Sequence, residues 1–238
     1  MKRNHFLDLL RGLSLISMLV YHFFYDLVHI FNFSFPWYAQ WPGFVWQQSI
    51  LMSFVLISGY SSNLAQRPVK NGITLLLWGF VIFLVTYFFL PEELILFGVL
   101  SFLGVASILA YYLKPFLDKV PCSLGTIVSF LLFLLTRNVF SGTFGAYTSV
   151  LGKVPQSWYN IDFLFPLGFP HETLWSADYV PVIPWIFLFL CGRFLGKKII
   201  LPDGINEGNV LVKLGRHSLG IYLLHQPVIY IFLLILSS

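Results

Sequence analysis

The chain has 238 residues, of which 58% are hydrophobic, 19% aromatic and only 10% charged. Soluble domains carry about 25% charged residues, so this composition excludes a water-soluble globule, and its aromatic content excludes a disordered chain. The formal net charge of +4 and the pI near 9.0 would fit a nucleic-acid partner. We expect none, because the positions of the basic residues match the orientation signal of a membrane protein.

Seven apolar stretches have about the length that a membrane helix needs, roughly 20 residues. In chain order they cover approximately residues 6–30, 44–65, 72–90, 94–113, 124–140, 180–195 and 214–236. Pro91, Pro121 and Pro202 fall between them, where proline discourages continuation of a helix. The sequence predicts an all-α fold, a polytopic membrane helix bundle of about seven transmembrane helices that forms one domain over residues 1–238 in the cell membrane.

The distribution of lysine and arginine predicts the orientation, because these residues accumulate on the cytoplasmic side of membrane helices. Only Arg137 and Lys153 of the 14 basic residues fall on the predicted outer side. The amino terminus is therefore expected inside and the carboxyl terminus outside, as an odd number of spans requires. The other 12 basic residues are Lys2, Arg3, Arg11, Arg67, Lys70, Lys114, Lys119, Arg193, Lys197, Lys198, Lys213 and Arg216.

Span one carries five ionisable residues, which are costly inside a membrane and point to a functional site. At about 100° per residue, all five fall within a wedge of roughly 60° on one helix face. The alternative interpretation is that they only hydrogen-bond to neighbouring helices, and it applies most to Asp8 and His29. The residues of the wedge are Asp8, Arg11, His22, Asp26 and His29.

The residue types in the wedge suit proton transfer next to an anionic ligand. A buried imidazole such as His22 can accept a proton from a nucleophile, and Asp26, one turn further on, can orient it. Arg11 lies about 16 Å from His22 along the axis, near the inner surface, and suits an anionic group arriving from inside. His225 in span seven lies at about the depth of His22. On the outer side, Asp178 is either a ligand for a polar acceptor or a helix cap.

Several segments of the chain resemble membrane acyltransferases. The stretch from Leu7 to Phe23, with ten residues between Arg11 and His22, is similar to the start of type 3 membrane acyltransferases. Over nearly its full length the chain resembles the bacterial branch of the heparan-alpha-glucosaminide N-acetyltransferase catalytic-domain family. The similarity to the type 3 enzymes continues at residues 54–60, 215–218 and 225–227, and the resemblance to the heparan family includes residues 89–92, 168–170 and 176–179.

The resemblance implies an enzyme that takes acetyl from cytoplasmic acetyl-CoA and delivers it to a sugar or amino sugar outside. It implies donor binding by Arg11 and Asp8 and catalysis by His22 with Asp26. Asp178 and His225 would then bind the acceptor. Acetyl-CoA would be a co-substrate rather than a resident cofactor, and no metal is expected. The expected partners are the lipid bilayer, acetyl-CoA and a carbohydrate acceptor.

Two departures from the family leave other interpretations open. The position of a histidine proposed to carry the acetyl group in the lysosomal enzyme aligns with Tyr38, which is a poor acyl relay, so His22 does this work or the transfer is direct. The chain also has fewer spans than the lysosomal enzyme, which leaves open a homo-oligomer whose second copy completes the donor site. The alternatives are a transporter, whose polar line would conduct protons or a solute, and a catalytically inactive membrane assembly protein.

Overall fold

The computed structural model describes residues 4–202 and 204–237, so Lys2 and Arg3 of the orientation argument lie outside the described residues. The fold is nearly all-α, with 71% of the residues helical. A short antiparallel hairpin, β1 (Thr143–Phe144) with β2 (Gly152–Lys153), departs from the all-α prediction. The α-helices are α1 (His5–His29), α2 (Pro36–Ala39), α3 (Trp41–Ser61), α4 (Pro68–Phe89), α5 (Val99–Tyr112), α6 (Lys114–Leu117), α7 (Cys122–Leu135), α8 (Val182–Lys198), α9 (Val210–Arg216) and α10 (Ser218–Ser237).

Among the described residues, four helical stretches are long and apolar enough to cross a membrane. They are His5–His29, Pro68–Phe89, Cys122–Ser141, which extends α7 through a following 3-10 turn, and Ser218–Ser237. A shorter apolar helix, α5, has 14 residues, fewer than its apolar stretch predicts. The prediction of a helical membrane protein is thus confirmed, while the count of seven spans and the orientation of the termini stay predictions.

The chain divides into two compact units, which are described separately. Unit 1 consists of Met1–Ile57 with Ile200–Ser238, and unit 2 is Ser58–Ile199. The single-domain organisation stays a prediction. All but one of the predicted site residues belong to unit 1; the exception is Asp178.

In unit 1, α1 contacts both α9, which runs antiparallel to it, and α10, which runs parallel to it. A Cβ atom on Gly215 would lie 1.7 Å from the carbonyl oxygen of Asp8, and one on Gly12 would lie 2.1 Å from that of Leu211. Because Asp8 pairs with the later residue of α9 and Gly12 with the earlier one, α9 runs antiparallel to the start of α1. Only glycine allows backbones to approach so closely, as in other membrane helix pairs.

The helix of the seventh predicted span, roughly residues 214–236, begins only at Ser218, because the chain reverses at His217 between α9 and α10. The backbone of His217 leaves the helical region at φ −102° and ψ 16°. After this turn α10 runs parallel to α1, with His225 against His22 and Tyr230 beside Phe31. The turn therefore places α10 along the polar face of α1.

The core of unit 1 forms where α1 packs on α3. Leu15, Met18 and Ile50 are buried there, at 0%, 4% and 8% exposure. The indole of Trp46 donates a hydrogen bond of 2.8 Å to the hydroxyl of Ser17, which satisfies a polar group on each helix. These contacts leave the polar face of α1 directed at α9 and α10.

Unit 2 pairs α4 with α5 and α7 with α8. The connection between α7 and α8 contains the hairpin and two 3-10 helices, Gln156–Asn160 and Asp162–Leu167. A small core of its own holds this connection together, with the Tyr159 hydroxyl donating to the carbonyl oxygen of Val139. The buried members of this core are Val139, Val154, Tyr159 and Phe169.

Candidate functional site

The polar wedge of α1 faces α9 and α10, as its alignment on one helix face predicts. Asp8 and Asp26 are both 0% exposed. Along α1 from its amino-terminal end, Asp8 pairs with Arg216 of α9, His22 contacts His225 of α10, and Asp26 bonds to Gln226. The exception is His29 at the carboxyl-terminal end of α1, which is exposed and contacts the rings of Tyr25 and Tyr38.

A network of charges joins the amino-terminal part of α1 to α9 in unit 1. The buried Asp8 carboxylate lies 3.0 Å from the Arg11 guanidinium and 3.8 Å from that of Arg216. Arg216 lies 3.4 Å from Glu207 and donates to His5 Nδ1 at 3.0 Å, and His5 Nε2 lies 3.1 Å from Glu207. The two arginines thus balance the two carboxylates. An anionic ligand would compete with the exposed Glu207 for Arg216.

His22 and His225 form a pair of imidazoles in the interior of unit 1. Their ring centroids are 4.7 Å apart in an edge-to-face arrangement. His225 Nδ1 hydrogen-bonds to the carbonyl oxygen of Tyr222, and because a carbonyl only accepts, Nδ1 carries the proton. In the neutral ring the lone pair is therefore on His225 Nε2, the nitrogen that a proton acceptor needs.

Three polar atoms on the neutral side chains of this region are buried without a hydrogen-bond partner among the described residues. They are His22 Nδ1, His225 Nε2 and Gln226 Oε1. Buried polar groups are nearly always paired, so each such group asks for an explanation, and a bound polar ligand is one. One of these atoms lies on α1, and the other two lie on consecutive residues of α10.

A hydrogen bond from Gln226 holds the carboxylate of Asp26. The Gln226 amide nitrogen donates a short hydrogen bond to the Asp26 carboxylate. Such a bond to a buried charged group offsets part of the cost of keeping that charge out of water. The predicted orientation of His22 by Asp26 stays a prediction.

A groove of about 820 Å³ runs along α1 and α10. Apolar side chains such as Leu19, Phe23 and Val228 form most of its walls. Its polar groups are few: Arg216 and His217 lie where α9 meets α10, and His225 lies two turns further along. Binding sites for small molecules are commonly concave and apolar with a few convergent polar groups, and this groove has that character.

Tyr38, at the position aligned with the histidine proposed to carry the acetyl group in the lysosomal enzyme, is 4% exposed. Its hydroxyl donates to the carbonyl oxygen of Tyr21 at 3.2 Å, and its ring packs against the ring of Tyr21 at 5.0 Å. Its hydroxyl is therefore engaged in joining α2 to α1.

Asp178 lies in unit 2, where its carboxylate accepts a hydrogen bond of 3.3 Å from the backbone N–H of Val99. Val99 is the first residue of α5, so Asp178 caps that helix and not α8, whose start lies four residues after Asp178. Burial raises the pKa of this carboxyl, against the opposing effect of the Val99 hydrogen bond. Its predicted contact with the acceptor stays a prediction.

Sequence reasoning missed Arg216 as a site residue and gave Gln226 no role. One signal for Arg216 was available, because Arg216 precedes His225 by nine residues much as Arg11 precedes His22 by 11. No comparable signal marks Gln226, since a glutamine in a helix becomes informative only when its partner on another helix is known.

A family model described as heparan-alpha-glucosaminide N-acetyltransferase, catalytic, matches residues 3–227. The match covers most of the chain and includes every predicted site residue. Neither the curated proteins nor the solved structures contain a significant match to the chain.

Proposed function

The chain belongs to the heparan-alpha-glucosaminide N-acetyltransferase catalytic-domain family, and from this premise we propose that it is an integral membrane acetyltransferase of the family's bacterial branch. Its donor is cytoplasmic acetyl-CoA, and its acceptor is a sugar or amino sugar on the outer side of the cell membrane. The observation that carries the proposal is the imidazole pair of His22 and His225, with a buried ring nitrogen on each lacking a hydrogen-bond partner among the described residues.

The pair can carry the proton that acyl transfer must move. The acceptor's amine or hydroxyl attacks the thioester carbon, so that a C–N or C–O bond forms and the C–S bond breaks. His225 Nε2 has the lone pair to accept the proton of the nucleophile, which revises its predicted role from acceptor binding to general base. The proton passes from His225 to His22, at ring contact, and from His22 to the departing thiolate, so that free CoA leaves as its thiol.

The donor is proposed to bind along the groove of unit 1. Its anionic phosphates would meet Arg216 and the neighbouring Arg11, whose charges Asp8 and Glu207 balance while no donor is bound. The apolar walls suit the pantetheine arm, and His225 lies far enough along them to meet the thioester. In this proposal Asp8 keeps both arginines in place rather than touching the donor itself.

The decisive experiment measures acetyl-CoA use by the full chain purified in detergent. We expect acetyl-CoA to raise the unfolding temperature and to be consumed with D-glucosamine as the probe acceptor. His22→Ala and His225→Ala should each lower the turnover number by about 100-fold or more, the typical share of a general acid or base, while still binding acetyl-CoA. The matched control is His171→Ala, which removes an exposed histidine of unit 2 and should leave turnover unchanged.

The same samples separate the alternative functions. A protein that unfolds cooperatively but neither binds nor consumes acetyl-CoA contradicts the acetyltransferase. A transporter would show solute or proton flux in vesicles that His22→Ala abolishes, with no response to acetyl-CoA. An inactive assembly protein would show neither effect.

A further inference from the structure

We infer that Gln226 is a specificity-determining residue that selects a primary amine over a hydroxyl as the attacking group. The inference rests on the proposed acetyl transfer and assigns a role to a residue that the family resemblance leaves without one. Gln226 hydrogen-bonds to Asp26 through its amide nitrogen, which leaves its amide oxygen for another partner.

The orientation of the Gln226 amide follows from its neighbour. The Asp26 carboxylate only accepts hydrogen bonds, so the amide nitrogen must face it and the oxygen must point elsewhere. That oxygen, Oε1, is buried and has no hydrogen-bond partner within the part of the chain that the structure describes. An amide oxygen also only accepts, so its missing partner is a donor.

A second atom that needs a donor lies on the preceding residue. His225 carries its proton on Nδ1, which the Tyr222 carbonyl holds, so its buried Nε2 also requires a donor. The partners of His225 and Gln226 on α1, His22 and Asp26, lie one helical turn apart, so both residues of α10 face the same stretch of α1. Both acceptors therefore belong to neighbouring residues that face one stretch of α1.

A neutral primary amine satisfies both acceptors, whereas a hydroxyl does not. The amine has two N–H groups, and one can donate to His225 Nε2 and the other to Gln226 Oε1. A hydroxyl has a single O–H and would leave one buried acceptor unpaired. Sites built for a donor discriminate strongly against a ligand that lacks it.

The chemistry balances with this assignment. As the amine nitrogen forms its bond to the acetyl carbon, the C–S bond breaks and one N–H proton moves to His225 Nε2 and finally to the CoA sulfur. The other N–H stays on the amide product, and Gln226 Oε1 holds it throughout. Gln226 thus orients the nitrogen without exchanging a proton.

The test uses hydroxylamine as a small amine probe and methanol as a hydroxyl probe of similar size. Wild-type protein with acetyl-CoA should form acetohydroxamate in preference to methyl acetate, after subtraction of the reaction without protein. Gln226→Met, similar in size but without an oxygen or N–H, should lower this preference by about tenfold or more, while formation of methyl acetate stays within about twofold. Gln47→Met, which changes an exposed glutamine of α3, is the matched control and should behave as wild type.

Each outcome bears on one of the two proposals. An unchanged preference in Gln226→Met overturns the role of Gln226 and leaves the acetyltransferase intact. Wild-type protein that consumes acetyl-CoA equally well with either nucleophile also overturns it. No consumption with either nucleophile overturns the proposed function, and this inference with it. If Gln226→Met does not fold, Gln226→Asn, which withdraws the oxygen by one methylene, must show the same loss of preference.

Discussion

Among single residues, Asp178 has a stabilising contact that can be separated from any contact with an acceptor. Its carboxylate caps the start of α5 from 79 positions further along the chain. Asp178→Ala removes the acceptor for the Val99 N–H and should cost about 1 kcal/mol, the usual value of a helix cap, whereas Asp178→Asn keeps an acceptor oxygen. Thermal unfolding in detergent should therefore show a lower transition temperature for alanine but not for asparagine. Equal destabilisation by both variants would contradict the capping role.

The pH dependence of the same residue follows from the direction of its pKa. Burial raises the pKa of Asp178 in the folded protein above its ordinary value of 3.8. The folded state therefore binds the proton more tightly than the unfolded state, and this carboxyl lowers stability as the pH rises from about 4 through the folded pKa. Asp178→Asn should flatten that decline and gain stability relative to wild type towards neutral pH. A difference between the two proteins that does not change with pH would contradict the shift.

Individual site residues differ in how well the sequence predicts them. The ionisable residues of α1 can be recognised as candidates from the sequence because charge is rare inside a membrane span. Gln226 and the Tyr222 carbonyl do not, because a neutral amide and a backbone oxygen gain meaning only from what faces them. Asp178 was recognised as a candidate cap, but the helix that it caps depends on how a distant segment folds back.

Among the elements, the crossing of α1 and α9 depends on two glycines. A Cβ on Gly215 would lie 1.7 Å from the Asp8 carbonyl oxygen, so Gly215→Ala must push the helices apart and disturb the Asp8–Arg216 ion pair. We expect a loss of about 1–3 kcal/mol, as for other overpacked sites, measured as a lower unfolding temperature. The matched control is Gly220→Ala in α10, where a Cβ would meet nothing within 4 Å.

The control separates sterics from helix propensity. Alanine favours a helix over glycine by up to about 1 kcal/mol, so Gly220→Ala should be neutral or stabilising. If Gly215→Ala is equally harmless, the close approach of α9 to α1 does not exist in solution. If both variants are destabilising, the effect lies elsewhere than in the crossing.

The apolar pattern predicts where most helices lie but not how they end. Length and hydropathy are enough for α1 and α4, whose observed bounds are close to the predicted spans. The break at His217 was missed because neither the charge nor the hydropathy of residues 214–218 distinguishes a turn from a helix start. The reversal there results from tertiary contacts, chiefly the packing of Gly215 against α1.

For the whole molecule, composition alone predicts a helical membrane protein, because lipid offers the backbone no hydrogen bonds and a helix supplies its own. What composition does not determine is the rotation of each helix about its axis. The wedge on α1 was visible as a stripe, yet its partners on α9 and α10 depend on packing between segments 200 residues apart in the chain. The family resemblance implies the acyl-transfer chemistry, and the contacts in the structure show which side chains of α1, α9 and α10 pair.

The predicted orientation in the membrane rests on the basic residues and can be tested with two exposed positions of unit 2. Lys119 precedes α7 on the predicted inner side, and Lys153 follows it on the outer side. In a chain with Cys122→Ser and Cys191→Ser, a membrane-impermeant maleimide should label Lys153→Cys in intact cells, but Lys119→Cys only after permeabilisation. The reverse pattern would invert the topology, and equal labelling of both in intact cells would remove α7 as a span. α7 lies between the two residues and is one of the seven predicted spans. The two cysteines must therefore differ in their labelling if α7 crosses the membrane.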